Sequence, residues 1–461
     1  MITYNEILKL DGIEKIHGEL PCSGDEVVSL STDTRSIGPG ESFLGIDGEN
    51  FRPMRFLSDL KDSPLIIYNY NDENEVLITG SSNDSMFLGV KDSVRFLQGI
   101  ARAIADKFTG QGGKLIAISG SNGKTTTKEM LYHILKSVEP RVVCTQKNNN
   151  NHIGVPLSLL QIRPGEKFCI LELGSNHPGE IRLLCDISQP NVGITTNIGD
   201  THLEFFDNRR NVFKEEGYLY TALKNSKDES KIFFKNEDDE FLGTLPNDTF
   251  VVNYGESSGD LCIERSFNGA KVVINGEEFK IENSNITGEH NFLNLALSFG
   301  VAKILTTHKS ADLINAAKHF VPTTNRSQWI KYAQADIFLD AYNANPSSMR
   351  AAIIGFKNDT ISKNIKLEET LLVLGDMNEL GDGASMYHDE LGLFCKAEGF
   401  LNAIFIGKHS KAFNSGFGGR GTEINSVKDI TNSFEQQLSK YKRVFIKGSR
   451  SLQLESLLDI N

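Results

Sequence analysis

The sequence predicts an α/β protein of three domains: a small N-terminal α/β domain, a central P-loop ATPase-like domain on a parallel sheet, and a C-terminal Rossmann-like domain. Three observations predict it. At 461 residues the chain exceeds one ordinary hydrophobic core. From about Lys114 to Gly199, and again after about Val321, short runs apolar on both faces alternate with helical periods, the pattern of parallel strands buried between helix layers. Where the first of these runs meets the helix after it stands "SGSNGKTTT", a turn of small residues closed by a lysine and threonines.

Residues 1–84 carry short strands and turns, including "STDTRSIGPGESFLGIDGENF", and form the first domain. A helix near Asp92 to Lys107 leads into the central domain, 85–321, whose strands are "KLIAISG", "RVVCT", "FCILELG" and "VGITTNIG". The third domain, 322–461, repeats the alternation with "ADIFLDAY", "ETLLVLGDM", "NAIFIG" and "RVFIKGS". Each central strand ends in polar or glycine-rich residues, and ligands of open α/β sheets sit at those carboxyl ends.

Composition narrows the function. With 39% hydrophobic and 23% charged residues the chain is a globular protein, not a disordered one. A formal charge of −12 with no long Lys/Arg run opposes nucleic acid and anionic membranes as partners. The six cysteines lie apart without a CxxC and read as buried thiols, not as disulfides or zinc ligands. No apolar leader opens the sequence and no run of 18 apolar residues occurs, so the expectation is a cytoplasmic protein; a monomer is expected as well.

The loop after "KLIAIS" carries the chemistry. Gly120, Ser121, Asn122 and Gly123 form the turn, and backbone N–H groups there, together with the N-terminus of a helix opening near Thr125, make an anion nest. Lys124 neutralises β- and γ-phosphates, Thr125 offers a hydroxyl to Mg²⁺, and Thr126 follows on the helix. The sequence departs from the general GxxxxGK[ST] pattern at its first glycine, where Ile118 stands. The loop alone identifies nucleoside triphosphate binding and leaves the reaction open.

The next strands end in Glu172 ("LELGSNHPGEI") and in His202 with Glu204 ("TNIGDTHLEFF"), so Glu172 and His202 are metal candidates. A carboxylate capping a loop and a histidine satisfied in the core are the structural alternatives. His133, His152 and His177 read as structural or surface histidines. The "TQKNNNNHIG" segment, with Asn149 and Asn150, offers amide groups without net charge, suited to sugar, peptide or phosphate and equally to a plain polar loop.

These segments, in this order, resemble the Mur ligase family, ATP-dependent amide-bond-forming enzymes of peptidoglycan synthesis. The resemblance covers nearly the whole chain: beyond the motifs above it includes "GEHNFLNLALS", "NRSQ", "DAYNANPSSMRAAI", "VLGDMNELG" and "KGSR". It implies the three-domain architecture of that family, with the first domain holding a uridine nucleotide. It also implies ATP and Mg²⁺, and the branch that joins D-alanyl-D-alanine to UDP-N-acetylmuramoyl-tripeptide through an acyl phosphate. The branch adding the third amino acid is the alternative, but its "DNPR"-like segment is missing; an ATP-binding regulatory protein without turnover is another.

Residue by residue, the resemblance implies that Lys124 contacts the ATP phosphates, that Thr125 and Glu172 hold one Mg²⁺, and that His202 helps hold a second. Asn291 and Asn294 then lie against adenine, while Arg326, Asp340, Tyr342, Asn343 and Asn345 place ribose and phosphates from the third domain. Thr34 and Arg35 belong to the uridine-nucleotide site, and "KGSR" and "GDMNELG" lie near the peptide or the incoming dipeptide. The family's N-carboxylated lysine falls at Glu216 in "VFKEEGYLY"; either Glu216 gives its carboxylate to Mg²⁺ on a shorter arm, or Lys214 is the modified residue in a shifted register. Tyr218 stands where the family commonly has Glu. Closure of the third domain over the reactants is implied, and an open arrangement is expected without them.

Overall fold

The structure, a computed structural model, describes residues 1–49, 51–80, 84–266 and 268–458. Asn50, within the first-domain segment quoted above, lies outside them. The strands form three sheets. The first runs Ile13–His17, Met86–Val90, Leu65–Asn69, Ser42–Leu44, Leu30–Ser31, parallel except where Ile13–His17 meets Met86–Val90. Met86–Val90 is buried throughout, so the first sheet continues past residue 84.

The central sheet has nine strands. Val142–Cys144, Phe168–Glu172, Lys114–Ser119 and Val192–Thr195 lie side by side and parallel, which brings their carboxyl ends to one edge. The sheet then extends through Ile232–Asn236, Val251–Gly255 and Leu261–Ser266, still parallel, to the antiparallel Gly269–Ile274 and Glu277–Glu282. The strands after Gly199 were not foreseen. Leu261–Ser266 is buried only at Leu261 and Ile263 and ends in Glu264, Arg265 and Ser266, so it is not a run apolar on both faces.

The third sheet runs Gln328–Tyr332, Ala335–Asp340, Arg443–Lys447, Thr370–Gly375, Ala403–Ile406, Thr422–Ile424, with only the first pair antiparallel.

Alternation along the strands explains the layers. In Lys114–Ser119, Leu115 and Ala117 pack under the helix Ser93–Gly110, whereas Ile116 and Ile118 pack under the helices Lys124–Val138 and Glu289–Leu305. In Ala335–Asp340, Ile337 and Leu339 face one apolar cluster and Phe338 the other. Burying each of the Leu, Ile and Phe side chains among them contributes about 1.5–3 kcal/mol, so the strand ends that carry the polar residues are held by rigid two-sided cores. The third domain rests on the central one: Trp329, the only tryptophan, donates its indole N–H to Thr287 Oγ1 at 2.8 Å.

Candidate active site

The turn after Ser119 is shaped by two glycines. Gly120 has φ +120°, and a side chain there would lie 2.3 Å from Thr196 Oγ1; Gly123, at φ +82°, starts the helix Lys124–Val138 in the left-handed region. The segment 195–199 braces the turn. Ser121 N donates to Asn197 O (2.8 Å), Asn122 N to Asn197 Oδ1 (3.1 Å) and Thr196 Oγ1 to Asn122 O (2.7 Å). The amide of Gly120 donates to Glu216 Oε2 at 2.8 Å. The N–H groups of Gly120, Ser121 and Asn122 are therefore spent inside the protein. What remains for an anion is the helix N-terminus, since the first intrahelical bond is Thr127 N to Gly123 O and the N–H groups just before it have no acceptor in the helix.

Lys124 folds back so that its ammonium donates to Gly120 O, 3.8 Å from Glu216 Oε1. Thr125 Oγ1 donates to Glu172 Oε1 at 2.9 Å, and Asn150 Nδ2 donates to the same oxygen at 3.0 Å. Glu172 Oε2 is buried with no hydrogen-bond partner, 3.9 Å from the Lys128 ammonium. Lys128 is itself buried, donating to Thr145 O at 2.8 Å and paired with Glu129 at 2.8 Å. Among the described residues no three His, Cys, Asp or Glu side chains converge as a metal cluster. Mg²⁺ keeps few protein ligands and takes phosphate oxygens for the rest, and a threonine hydroxyl beside a carboxylate with one unpartnered oxygen fits that donor set.

The third domain reaches this corner directly. Arg326 Nη2 donates to Thr125 Oγ1 at 3.1 Å, and its guanidinium lies 3.6 Å from the centre of the Tyr342 ring. The flanking Asn325 and Ser327 both have positive φ, at +63° and +48°. Asn345 Nδ2 donates to Asn122 Oδ1 (2.8 Å), and Asn122 Nδ2 to Ser347 Oγ (2.9 Å). The Tyr342 hydroxyl donates to Asn148 Oδ1. Asp340 is held behind them by Lys447, whose ammonium lies 2.5 Å from Oδ2 and donates to Asn343 O at 2.8 Å. Burial pushes His290 down to about 4, so it is neutral on the cavity wall.

A cavity of about 830 Å³ lies between the two domains. It is lined by Ser121, Asn122, Gly123, Lys124, Thr125 and Thr126 of the loop and by Asn150, Glu172 and His202. Asn291, Asn294, Arg326, Asp340, Tyr342, Asn343 and Asn345 complete the predicted set on its wall. Gly120 and Glu216 lie behind the loop, not on the cavity. Glu216 ends the helix Arg209–Glu216 and is 2% exposed, with both carboxylate oxygens facing loop donors. Its neighbour Glu215 instead accepts from Gly179 N, Ile181 N (both 2.7 Å) and Ser175 Oγ (2.9 Å) at the start of the helix Glu180–Ser188. Lys214 points to Asn211 Oδ1 at 3.2 Å on the exposed face, away from the loop.

His202, at φ +49°, sits with Nδ1 2.5 Å from Glu379 Oε2 in the third domain, and the imidazole holds the Glu379 carboxyl below its usual range. It faces Glu379 across the domain boundary and shares the wall of the 830 Å³ cavity with Glu172. Asn149 supplies backbone against which Gly154 packs. Thr34 and Arg35 are off the cavity; Arg35 is 87% exposed and clasps Asp33 through Nε (2.9 Å) and Nη2 (2.8 Å). Sequence reasoning missed Asn197, His152, His177 and Arg209 on the cavity wall, and the buried Lys128. Lys128 had a signal: one turn after Lys124, it lies on the same helix face. A second cavity of about 160 Å³ adjoins, sharing His202, Asn343 and Asn345 with the first and lined also by Asn378, Glu379 and Arg450.

Residues 118–302 match the Mur ligase middle domain and residues 325–450 the Mur ligase, glutamate ligase domain. The chain belongs to the Mur ligase family. This Mur ligase is 27% identical over 448 residues to the UDP-N-acetylmuramoyl-tripeptide--D-alanyl-D-alanine ligase of Bacillus subtilis, covering 93% of this chain and 92% of the relative. It is 28% identical to the protein of the same name from Escherichia coli, over 96% of this chain and 95% of that one. Among solved structures, MurF from Acinetobacter baumannii superposes with a TM-score of 0.78 at 25% identity, covering 93% and 92% of the two chains. MurF from Thermotoga maritima in complex with ADP shares the fold, with a TM-score of 0.78 at 24% identity and coverage of 94% and 96%.

Proposed function

We propose that this Mur ligase joins D-alanyl-D-alanine to UDP-N-acetylmuramoyl-tripeptide at the expense of ATP, as a monomer acting on small molecules in the cytoplasm. The observation that carries the reading is the convergence of Lys124, Thr125 and Glu172 from the central domain with Arg326 from the third around one cavity, in a chain alike to ligases of that name over nearly its full length.

A free carboxylate is a poor electrophile, and amide formation from it in water is uphill, so the carboxylate is activated first. The N–H groups at the start of the helix Lys124–Val138 and the Lys124 ammonium bind the ATP phosphates. Lys124 leaves Gly120 O to do so. Arg326, stacked on Tyr342, reaches the terminal phosphoryl from the opposite side and holds it in line. Thr125 and Glu172 would hold Mg²⁺, which supplies charge neutralisation on the phosphate oxygens. A carboxylate oxygen of the tripeptide attacks the γ-phosphorus, the bond to the β-bridging oxygen breaks, and ADP departs. The amine of the dipeptide then attacks the acyl carbon; the carbon–oxygen bond to phosphate breaks and inorganic phosphate leaves with that carboxylate oxygen. His202, backed by Glu379 between the two cavities, takes the proton the amine loses.

The 160 Å³ cavity, with Arg450 and Asn378 on its wall, is the place for the dipeptide and its carboxylate. Arg35 turns from Asp33 to the phosphates of the uridine nucleotide, and Thr34 contributes its hydroxyl. Packing of the third domain over the loop excludes water that would hydrolyse the acyl phosphate.

The test is mass spectrometry of the products from purified protein, ATP, Mg²⁺, D-alanyl-D-alanine and the tripeptide substrate with lysine or meso-diaminopimelate at its third position. The expected result is a pentapeptide product with one of the two. Folded protein that yields none with either would defeat the assignment.

A further inference from the structure

Among the described residues Glu216 is the one buried carboxylate whose two oxygens both face donors of the phosphate loop: Oε2 accepts from Gly120 N at 2.8 Å and Oε1 lies 3.8 Å from the Lys124 ammonium. Its backbone carbonyl accepts from Ser119 Oγ at 2.9 Å, which fixes the end of its helix to the strand beneath the loop. The carboxylate is 2% exposed and stands behind the loop, screened from water and from the cavity. A negative charge so placed acts on whatever binds Lys124. In a medium of low effective dielectric it repels an incoming polyphosphate and is partly offset only when the phosphates arrive with a cation.

We propose that Glu216 is the residue that makes this site discriminate between metal-complexed and metal-free nucleotide. It is a resident counter-ion of Lys124: with it, the net charge behind the loop is balanced and free ADP or ATP gains little by binding. A magnesium-complexed nucleotide carries less negative charge and is opposed less. Glu172, on the cavity side, is the carboxylate that faces the cation; Glu216 acts on the phosphates through charge, without touching them. The inference rests on the nucleotide site being the one described above.

The experiment is calorimetric titration of ADP into the full chain in EDTA and in excess Mg²⁺. For Glu216→Gln, which keeps an acceptor for the Gly120 amide, metal-free ADP is expected to bind about tenfold more tightly than to the unaltered protein, and the ADP–Mg²⁺ affinity to change by much less. Glu216→Asp, which keeps the charge one methylene back, is expected between the two and serves as the deciding variant if the glutamine form does not fold. Weaker binding confined to the Mg²⁺ titration would make Glu216 a metal ligand and overturn the proposal, as would unchanged or weaker metal-free binding. Unaltered protein that binds ADP in neither condition would instead overturn the nucleotide site itself.

Discussion

The phosphate loop and the Asp33–Arg35 turn of the first domain are both short polar stretches singled out from sequence, and the protein treats them in opposite ways. The loop is braced on every side, by Asn197 and Thr196 beneath, Glu216 behind and Asn345 and Arg326 from the facing domain. The Asp33–Arg35 turn is tied only locally, Asp33 to Ser31 of the strand before it and to Ser36 after it, and Arg35 clasps Asp33 in solvent. Transferring a phosphoryl group requires donors fixed before the substrate arrives, because a preorganised site pays no reorganisation during the reaction. Holding the far end of a long nucleotide requires only that a charge be free to change partners, and an exposed ion pair is cheap to exchange.

That contrast sets the order of effects. Lys124→Ala is expected to lower kcat/KM for pentapeptide formation about a thousandfold or more with the protein still folded, whereas a loss under tenfold would show that the loop does not grip the transferred group. Arg326→Ala is expected to cost about a hundredfold, and Arg326→Lys to restore little, because an ammonium has neither the planar stack on Tyr342 nor the fork that reaches Thr125. Full rescue by lysine would reduce Arg326 to a point charge.

Stability responds to pH through the third domain, where His388 is 0% exposed with Nε2 accepting from Met377 N at 3.0 Å and Nδ1 2.6 Å from Ala384 O. Burial pushes it down to about 4, from an ordinary 6.5. A histidine depressed in the folded state contributes its full stability above pH 6.5 and loses it as pH falls towards 4, by up to about 3 kcal/mol. The thermal midpoint of His388→Gln is therefore expected to fall less between pH 7 and pH 4.5 than that of the unaltered protein; parallel profiles would exclude this role. The smallest effect belongs to the exposed turn: Arg35→Ala is expected to raise KM for the uridine-nucleotide substrate about tenfold, with kcat and the thermal midpoint unmoved. A fall in kcat instead would place Arg35 in the reaction.

The same contrast explains what the sequence made legible. Lys124, Thr125 and the strand beneath them are consecutive, and a buried run ending in glycine and lysine has one physical reading. The eight strands quoted from the second and third domains are strands in the structure, because parallel strands covered on both faces are apolar at every position. The strands from Val251 to Glu282 escaped notice because partial burial dilutes the apolar signal, although Asn275-Gly276, both at positive φ, is a hairpin turn written in two letters. Among site residues, the pairing of His202 with Glu379 and of Asn122 with Asn345 joins positions more than 170 residues apart, and only domain packing brings them together. The position of Glu216 follows from its distance to "HLE", but its partners do not: that it faces Gly120 and Lys124 follows from how its helix ends on the strand.

Oxygen transfer tests the chemistry most directly. With the terminal carboxylate of the tripeptide labelled with oxygen-18, activation by phosphoryl transfer predicts one labelled oxygen in the inorganic phosphate released per amide formed. Pentapeptide formed alongside wholly unlabelled phosphate would contradict it.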